Sequence, residues 1–175
     1  MSLELRRRLM MQQLDKTPVP STNQIIYQTR DGKIIDFSGI CNGTMISNEI
    51  VGEYIIATFD REVTTINNYT GNLNIKYVDF PYTCKTFSRT AFDNCHNIMR
   101  AILRAEACSL GDYCFSVFNG VAKITLYATK PPVRRANAVG SNPMSQKPII
   151  EVPKGCADAY KNSSYWAGYD IIEMS

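Results

Sequence analysis

The segment Thr90-Ala91-Phe92-Asp93-Asn94-Cys95-His96-Asn97-Ile98 is matched, at a constant offset of 23 residues, by Tyr113-Cys114-Phe115-Ser116-Val117-Phe118-Asn119-Gly120-Val121. Apolar positions outside this segment recur at a similar spacing. Three pairs lie 21 residues apart, namely Phe59 and Phe80, Val63 and Cys84, and Ile66 and Phe87. Cys108 and Leu110 follow Cys84 and Phe87 by 24 and 23 residues, and Ile102 recurs as Ile124 after 22. A period of this length with apolar residues in phase predicts a solenoid, in which each coil stacks on its neighbours.

One coil can be followed from its first strand into its turn. Tyr77-Val78-Asp79-Phe80 alternates, which predicts a short strand with Val78 and Phe80 on one face. A second short strand and a turn complete the unit. The predicted interior consists of Phe80, Cys84, Phe87, Ala91, Phe92, Cys95 and Ile98. The alternative fold is an ordinary β-sandwich whose residue spacing is a coincidence.

Length and composition exclude several classes of protein. The chain has 175 residues, which suits one domain with a small appendage, and 45% of them are hydrophobic, which is typical of a globular protein. Its net charge of +3 is too small to indicate nucleic-acid binding. No apolar run approaches the length of a membrane-spanning helix, so we expect no membrane insertion.

Cysteine and histidine usage argues against catalysis and metal binding. The six cysteines are Cys41, Cys84, Cys95, Cys108, Cys114 and Cys156. They form no C-x-x-C motif and are accompanied by a single histidine, so we expect no zinc site. Buried, unpaired thiols that act as small apolar side chains are the preferred interpretation. Because paired carboxylates, a glycine-rich phosphate loop and a G-x-S-x-G motif are also missing from the sequence, we expect no enzyme, no cofactor and no catalytic residue.

Residues 1–23 are predicted to form an N-terminal anchor segment and linker. Two apolar i,i+4 pairs favour a short amphipathic helix over residues 2–14, and Pro18 and Pro20 favour an extended linker after it. The predicted partner-anchoring residues are Leu3, Leu5, Arg6, Arg7, Arg8, Leu9 and Met10. The basic cluster is not followed by the apolar stretch of an export signal. The alternative is a frayed N-terminus without a partner.

Caps are predicted at both ends of the coils. Two β-rich runs around Asp31-Gly32, residues 25–29 and 33–37, predict a hairpin, which forms a cap over residues 24–54. The coils are assigned to residues 55–132, because Pro131-Pro132 is expected to stop them. Residues 133–175 are assigned to an irregular loop and a C-terminal capping unit. That unit contains a strand at 149–152, a short helix within 153–161 and the aromatic residues Tyr165, Trp166 and Tyr169.

Several of these motifs resemble the BspA-like leucine-rich repeat family. They are residues 58–66, the Ala91-Phe92-Asp93-Asn94-Cys95 turn, residues 126–132 and the C-terminal run 152–161 with Trp166 beyond it. The opening Leu5-Arg6-Arg7-Arg8-Leu9-Met10 is similar to the start of short members from gut Bacteroidales and their phages. The resemblance implies a mainly β leucine-rich-repeat solenoid of about three coils. Its N-terminal cap would be a β-hairpin, and its C-terminal cap a strand and helix.

The same resemblance also implies a function for the protein. It implies a non-catalytic binding or structural protein whose larger relatives are cell-surface adhesins. With no visible export signal, we expect a component of a phage virion, such as a head fibre or decoration protein, attached through its N-terminus. The expected partner is a capsid or tail protein, or a host surface protein or glycan. A homo-oligomer is compatible with this expectation, and a fibre would be a trimer. The alternatives are a bacterial cell-surface adhesin and an intracellular protein-binding module.

Overall fold

The computed structural model describes residues 17–118, 122–141 and 146–175, which form two sheets around a shared core. The long sheet has the order β12-β11-β9-β7-β5-β1-β3-β2. Its strands are β1 (Gln24–Thr29), β2 (Met45–Val51), β3 (Tyr54–Phe59), β5 (Ile75–Phe80), β7 (Arg100–Leu103), β9 (Lys123–Leu126), β11 (Ile149–Val152) and β12 (Ile171–Glu173). The strands from β5 to β12 are parallel, whereas β1, β2 and β3 are joined by antiparallel pairing.

A short parallel sheet with the order β10-β8-β6-β4 closes the other side of the coils. Its strands have two residues each: β4 (Thr65–Ile66), β6 (Thr86–Phe87), β8 (Ser109–Leu110) and β10 (Val133–Arg134). The only α-helix in the described residues is α1 (Ala157–Lys161), between β11 and β12. Each coil therefore contributes one strand to each sheet, and a solenoid of stacked coils results.

Strand pairing confirms the repeat and corrects one of its registers. Ile66 pairs with Phe87, and Phe87 with Leu110, as the spacing predicted. In the long sheet, however, Ile102 pairs with Thr125, and Ala101 pairs with Ile124. The predicted correspondence of Ile102 with Ile124 is thus wrong by one residue. Side chains alternate between the two faces of a strand, so aligning two strands one residue out of register exchanges those faces.

Aromatic rings form a column through the turns of successive coils. Phe92 and Phe115 lie parallel, with ring centroids 5.6 Å apart and an interplanar angle of 2°. Tyr69 lies 5.8 Å from Phe92 on the other side and meets Phe37 edge-on at 5.2 Å. The shortened first coil thus continues the column with a tyrosine where the later coils use phenylalanine. All seven predicted interior residues of the second coil are at most 1% exposed. The parallel pairing of corresponding strands in successive coils excludes the β-sandwich with coincidental spacing.

The N-terminal cap differs from the predicted hairpin. β1 pairs with β3 on one side and β5 on the other, so residues 33–37 have no free edge of β1 to join. Those residues instead run as non-strand chain, held where the Tyr27 hydroxyl accepts a hydrogen bond of 3.2 Å from the Ile35 amide. The hairpin of the cap is β2–β3, which turns through Gly52-Glu53 with Gly52 at a φ of +62°. A glycine in this position is typical of the two-residue hairpin turn.

The coils also continue past Pro131-Pro132, where we predicted that they stop. β10 adds a fourth strand to the short sheet, and Val139 forms a parallel bridge with Phe115. Both prolines precede β10 rather than interrupt its pairing, because proline is tolerated before the first residue of a strand. The predicted C-terminal cap follows as β11, α1 and β12. It is tied to the coils by the buried Trp166, whose indole N–H donates to the Pro132 carbonyl at 3.1 Å.

Candidate binding face

The cysteines contribute packing and offer no reactive thiol in the interior. All six lie among the described residues and are unpaired, and all except Cys156 are buried. Burial raises the pKa of the Cys95 thiol to about 11 and that of Cys108 to about 12. A thiol with a raised pKa is a poor nucleophile and metal ligand. Within the described residues, no group of three or more histidine, cysteine, aspartate or glutamate side chains is placed to hold a metal ion.

The broadest surface of the repeats is the outer face of the long sheet, on the side away from the core. Alternate residues of its strands point there, and the parallel register aligns them in rows across the coils. We define the outer face by the following side chains: Ile26, Tyr54, Ile56, Tyr77, Asp79, Arg100, Ile102, Arg104, Lys123, Thr125, Tyr127 and Glu151. It has three parts, which are an apolar cluster, a buried ion pair and a charged network.

The apolar cluster lies where the antiparallel cap meets the first parallel strand. Ile26, Tyr77 and Ile102 are buried there, separately from the main core, with Tyr54 and Ile56 packed against them. Tyr54 and Tyr77 meet edge-on with ring centroids 5.6 Å apart. Tyrosine-rich clusters of this kind are common at the centres of protein interfaces.

The buried ion pair joins Asp79 of β5 to Arg104, which follows β7. The guanidinium donates two hydrogen bonds of 2.8 Å to the two carboxylate oxygens, in a bidentate arrangement. The Asp79 side chain is fully buried, and that of Arg104 is 13% exposed. Burial raises the pKa of Asp79 although the arginine opposes the shift. Arg104 also lies over the ring of Tyr127 at 5.0 Å, so the pair is covered by an aromatic side chain.

The charged network surrounds Glu151 of β11. Its carboxylate accepts hydrogen bonds from Lys123 at 2.9 Å and Thr125 at 2.7 Å, and it lies 3.4 Å from Arg100. Burial alone would raise the pKa of Glu151, but the hydrogen bonds from Thr125 and Lys123 outweigh it and lower the pKa. The Arg100 side chain is 47% exposed, so one cation of the network stays available to a partner.

The outer face of the short sheet is a second, more polar surface. Thr65, Thr86, Ser109 and Val133 form one row across its four strands. A groove beside this row is lined by Arg89, Asp112, Arg135 and Tyr165 among others. The strands here have only two residues each, so this surface is narrower than the outer face of the long sheet. Tyrosine, which is enriched at interface hot spots, occurs three times on the outer face of the long sheet and once in the lining of this groove.

The predicted anchor residues cannot be placed on either surface. Leu3, Leu5, Arg6, Arg7, Arg8, Leu9 and Met10 lie outside the described residues. The described chain begins at Thr17, whose hydroxyl accepts a hydrogen bond of 3.4 Å from the Tyr54 hydroxyl. Pro20 is buried, so the linker is held against the N-terminal cap. Residues of the outer face were not predicted as a site, although alternation along each strand marks the side chains that point outward.

A comparison with protein-family models agrees with this architecture. The model of the BspA type leucine-rich repeat region, in six copies, matches residues 54–135. Residues 54–135 form a BspA type leucine-rich repeat region. The matched region begins with β3 and ends just after β10, so it includes the fourth strand of the short sheet. Searches of curated proteins and of solved structures each gave no match.

The repeat region suggests that the protein binds a partner, but it does not identify that partner. Leucine-rich-repeat solenoids are typical of non-catalytic binding modules, because their stacked coils present an extended surface to a protein partner. This suggests a repeat-based binding or adhesion module. None of the helices in the described parts of the chain is long and apolar enough to cross a membrane.

Proposed function

We propose that this leucine-rich repeat protein is a non-catalytic surface component of a phage virion, a head fibre or decoration protein. In this proposal, residues 1–16 attach it to a capsid or tail protein. The outer face of the long sheet then binds a protein or glycan on the host surface. The observation that carries the binding role is the combination of aromatic, apolar and charged side chains on that face.

The position of the linker supports attachment through the N-terminus. The Tyr54 hydroxyl contacts Thr17 at the cap end of the outer face, whereas Tyr127 and Glu151 lie on strands toward the other end. An attachment through the preceding residues therefore leaves the charged network of Glu151 free. The two capping units support the same role, since a short solenoid needs caps over the ends of its core while it presents its surface.

Attachment is tested by deleting residues 1–16 and measuring incorporation into particles. We expect the truncated chain to keep the circular dichroism spectrum and melting temperature of the full chain, because residues from Thr17 onward make the contacts described above. Incorporation into particles should be lost. Unchanged incorporation would remove the anchor from the proposal. Recovery of the chain on intact bacterial cells, in the absence of particles, would support a cell-surface adhesin instead.

The binding face is tested with two charge-matched double variants. Arg100→Ala with Lys123→Ala removes two cations from the outer face, and Lys85→Ala with Arg89→Ala removes two exposed cations near the short sheet. Binding of the labelled chain to host cells should weaken at least about fivefold for the first variant and remain unchanged for the second. Equal weakening would indicate a general charge effect. Weakening by the second variant alone would move the site to the short sheet.

A further inference from the structure

Within the described residues, the N-terminal end of the long sheet is an open edge. Among them, β2 is its last strand and is paired on one side only, with β3. Three aliphatic side chains of β2 are more than half exposed: Ile46 at 64%, Ile50 at 58% and Val51 at 51%. Natural proteins protect such edges with lysine, proline or a covering segment, and β2 contains neither of these residues.

The other edges in the described residues are much shorter. β12 has three residues, and its Glu173 accepts a hydrogen bond from the Ala157 amide at the start of α1. The edges of the short sheet, β4 and β10, have two residues each. A long strand cannot pair along its length with any of these. The edge that matches β2 in length is therefore β2 of a second copy.

We infer that two copies of this chain associate through β2, by antiparallel strand pairing across a two-fold axis. Every second residue of an edge strand in an antiparallel ladder directs its N–H and C=O groups away from the sheet, so the backbone offers both donors and acceptors. Because each copy has one such edge, the pairing closes at the dimer.

The side chains of β2 favour one register. An axis through Glu49 would place the two carboxylates opposite each other, which is destabilising. An axis through Asn48 instead places Glu49 opposite Ser47 and Ile50 opposite Ile46 of the second copy. The bulge at Ile46 bends the strand there, so regular pairing in this register covers Ser47–Glu49 of each copy, and Ile50 packs beside Ile46 at either end of it.

The strand is held in place before it pairs. The Asn48 amide donates to the Ile35 carbonyl at 2.8 Å, and its side-chain oxygen accepts from the Tyr27 hydroxyl at 2.9 Å. Little conformational entropy is then lost on association. A single strand pair buries less surface than a standard interface, so the dimer should form in a concentration-dependent manner.

The test is sedimentation equilibrium of the full chain over a wide range of concentration. We expect a monomer–dimer equilibrium that Ile50→Lys weakens at least about tenfold, because two lysines replace two isoleucines across the pairing. The matched control is Leu73→Lys, which adds the same charge at a side chain that is 54% exposed and outside β2. It should leave the equilibrium unchanged.

Amide hydrogen exchange provides a second measurement. Exchange in β2 should slow as the wild-type concentration rises and should not slow in Ile50→Lys. A monomer at every concentration would overturn the inference. So would a dimer that Ile50→Lys leaves unchanged, or open-ended growth of the assembly, since the last result would mean pairing with a different edge.

Discussion

Replacing Arg104 with methionine tests the buried ion pair of the outer face. The variant keeps a long apolar side chain but leaves the carboxylate of Asp79 without its bidentate partner. Asp79 is fully buried, so water cannot replace the lost hydrogen bonds without a rearrangement. Removal of one member of a buried pair typically costs about 3–5 kcal/mol. We expect the free energy of unfolding at pH 7 to fall by about 3 kcal/mol, near the lower end because Arg104 is partly exposed.

The pH dependence of this loss has a definite sign. Burial raises the pKa of Asp79 above its ordinary value, and without Arg104 nothing of comparable strength opposes that shift. The folded variant therefore prefers a protonated Asp79. Its deficit relative to the wild type should be fully present above the raised pKa. It should shrink as the pH falls from there toward the pKa of Asp79 in the wild type, which is itself above the ordinary carboxyl value of 3.8.

Chemical denaturation followed by circular dichroism at several pH values measures both effects. Arg100→Met, at the start of β7, is the matched control, because the Arg100 side chain is 47% exposed and lies 3.4 Å from its partner Glu151. It should cost at most about 1 kcal/mol. The reasoning is refuted if Arg104→Met costs no more than Arg100→Met, or if its deficit grows as the pH falls.

Three further predictions concern the packing of the coils. Gly111→Ala should destabilise the chain by about 2 kcal/mol in chemical denaturation, because the added Cβ would lie 2.7 Å from the backbone nitrogen of Arg89 in the preceding coil. Ser109→Ala, at an exposed position, is its control and should change the free energy of unfolding little. Phe92→Ala should lower the free energy of unfolding by about 4 kcal/mol and the exposed Tyr82→Ala by less than about 1 kcal/mol, and equal losses would contradict a stacked aromatic column. A thiol reagent should label Cys156 in the folded chain much faster than the five buried cysteines, as mass spectrometry of the labelled peptides would measure; uniform labelling would contradict their burial.

The repeat could be predicted from sequence because its interior positions are chemically demanding. A position that is enclosed by the coil above and the coil below accepts only apolar side chains, so Phe92 and Phe115 recur at a fixed interval. The register of the long sheet was harder to predict. Ile102 and Ile124 are both apolar, yet Ile102 faces the outer cluster and Ile124 faces the core. When both faces of a strand carry apolar residues, hydrophobicity alone does not distinguish a correct alignment from a slip of one residue.

The N-terminal cap shows a second limit of sequence reasoning. Asp31-Gly32 has the composition of a hairpin turn, and the runs on both sides are rich in β-branched residues. That local preference does not determine the pairing, because both edges of β1 are occupied, by β3 and β5. The competing turn, Gly52-Glu53, was visible in the sequence as a glycine between two alternating runs. Choosing between the two turns needed the position of β5, which follows β1 by more than 40 residues.

Arg134 shows how the C-terminal cap ends the solenoid. Its position in the short sheet follows Ile66, Phe87 and Leu110 in register, so the pattern calls for an apolar side chain there. The arginine is nevertheless 8% exposed, with its guanidinium 5.0 Å from the ring of Trp166 and bonded to the Tyr165 carbonyl.

Aromatic rings enclose the Arg134 guanidinium, and backbone carbonyl groups accept its hydrogen bonds. None of these contacts is with a carboxylate. Since the enclosure is built by residues 165–169, Arg134 cannot be satisfied in a coil that is followed by another identical coil. The same side chain that breaks the apolar column therefore requires the cap that covers it. The last coil and the C-terminal cap therefore stabilise each other through the contacts of Arg134.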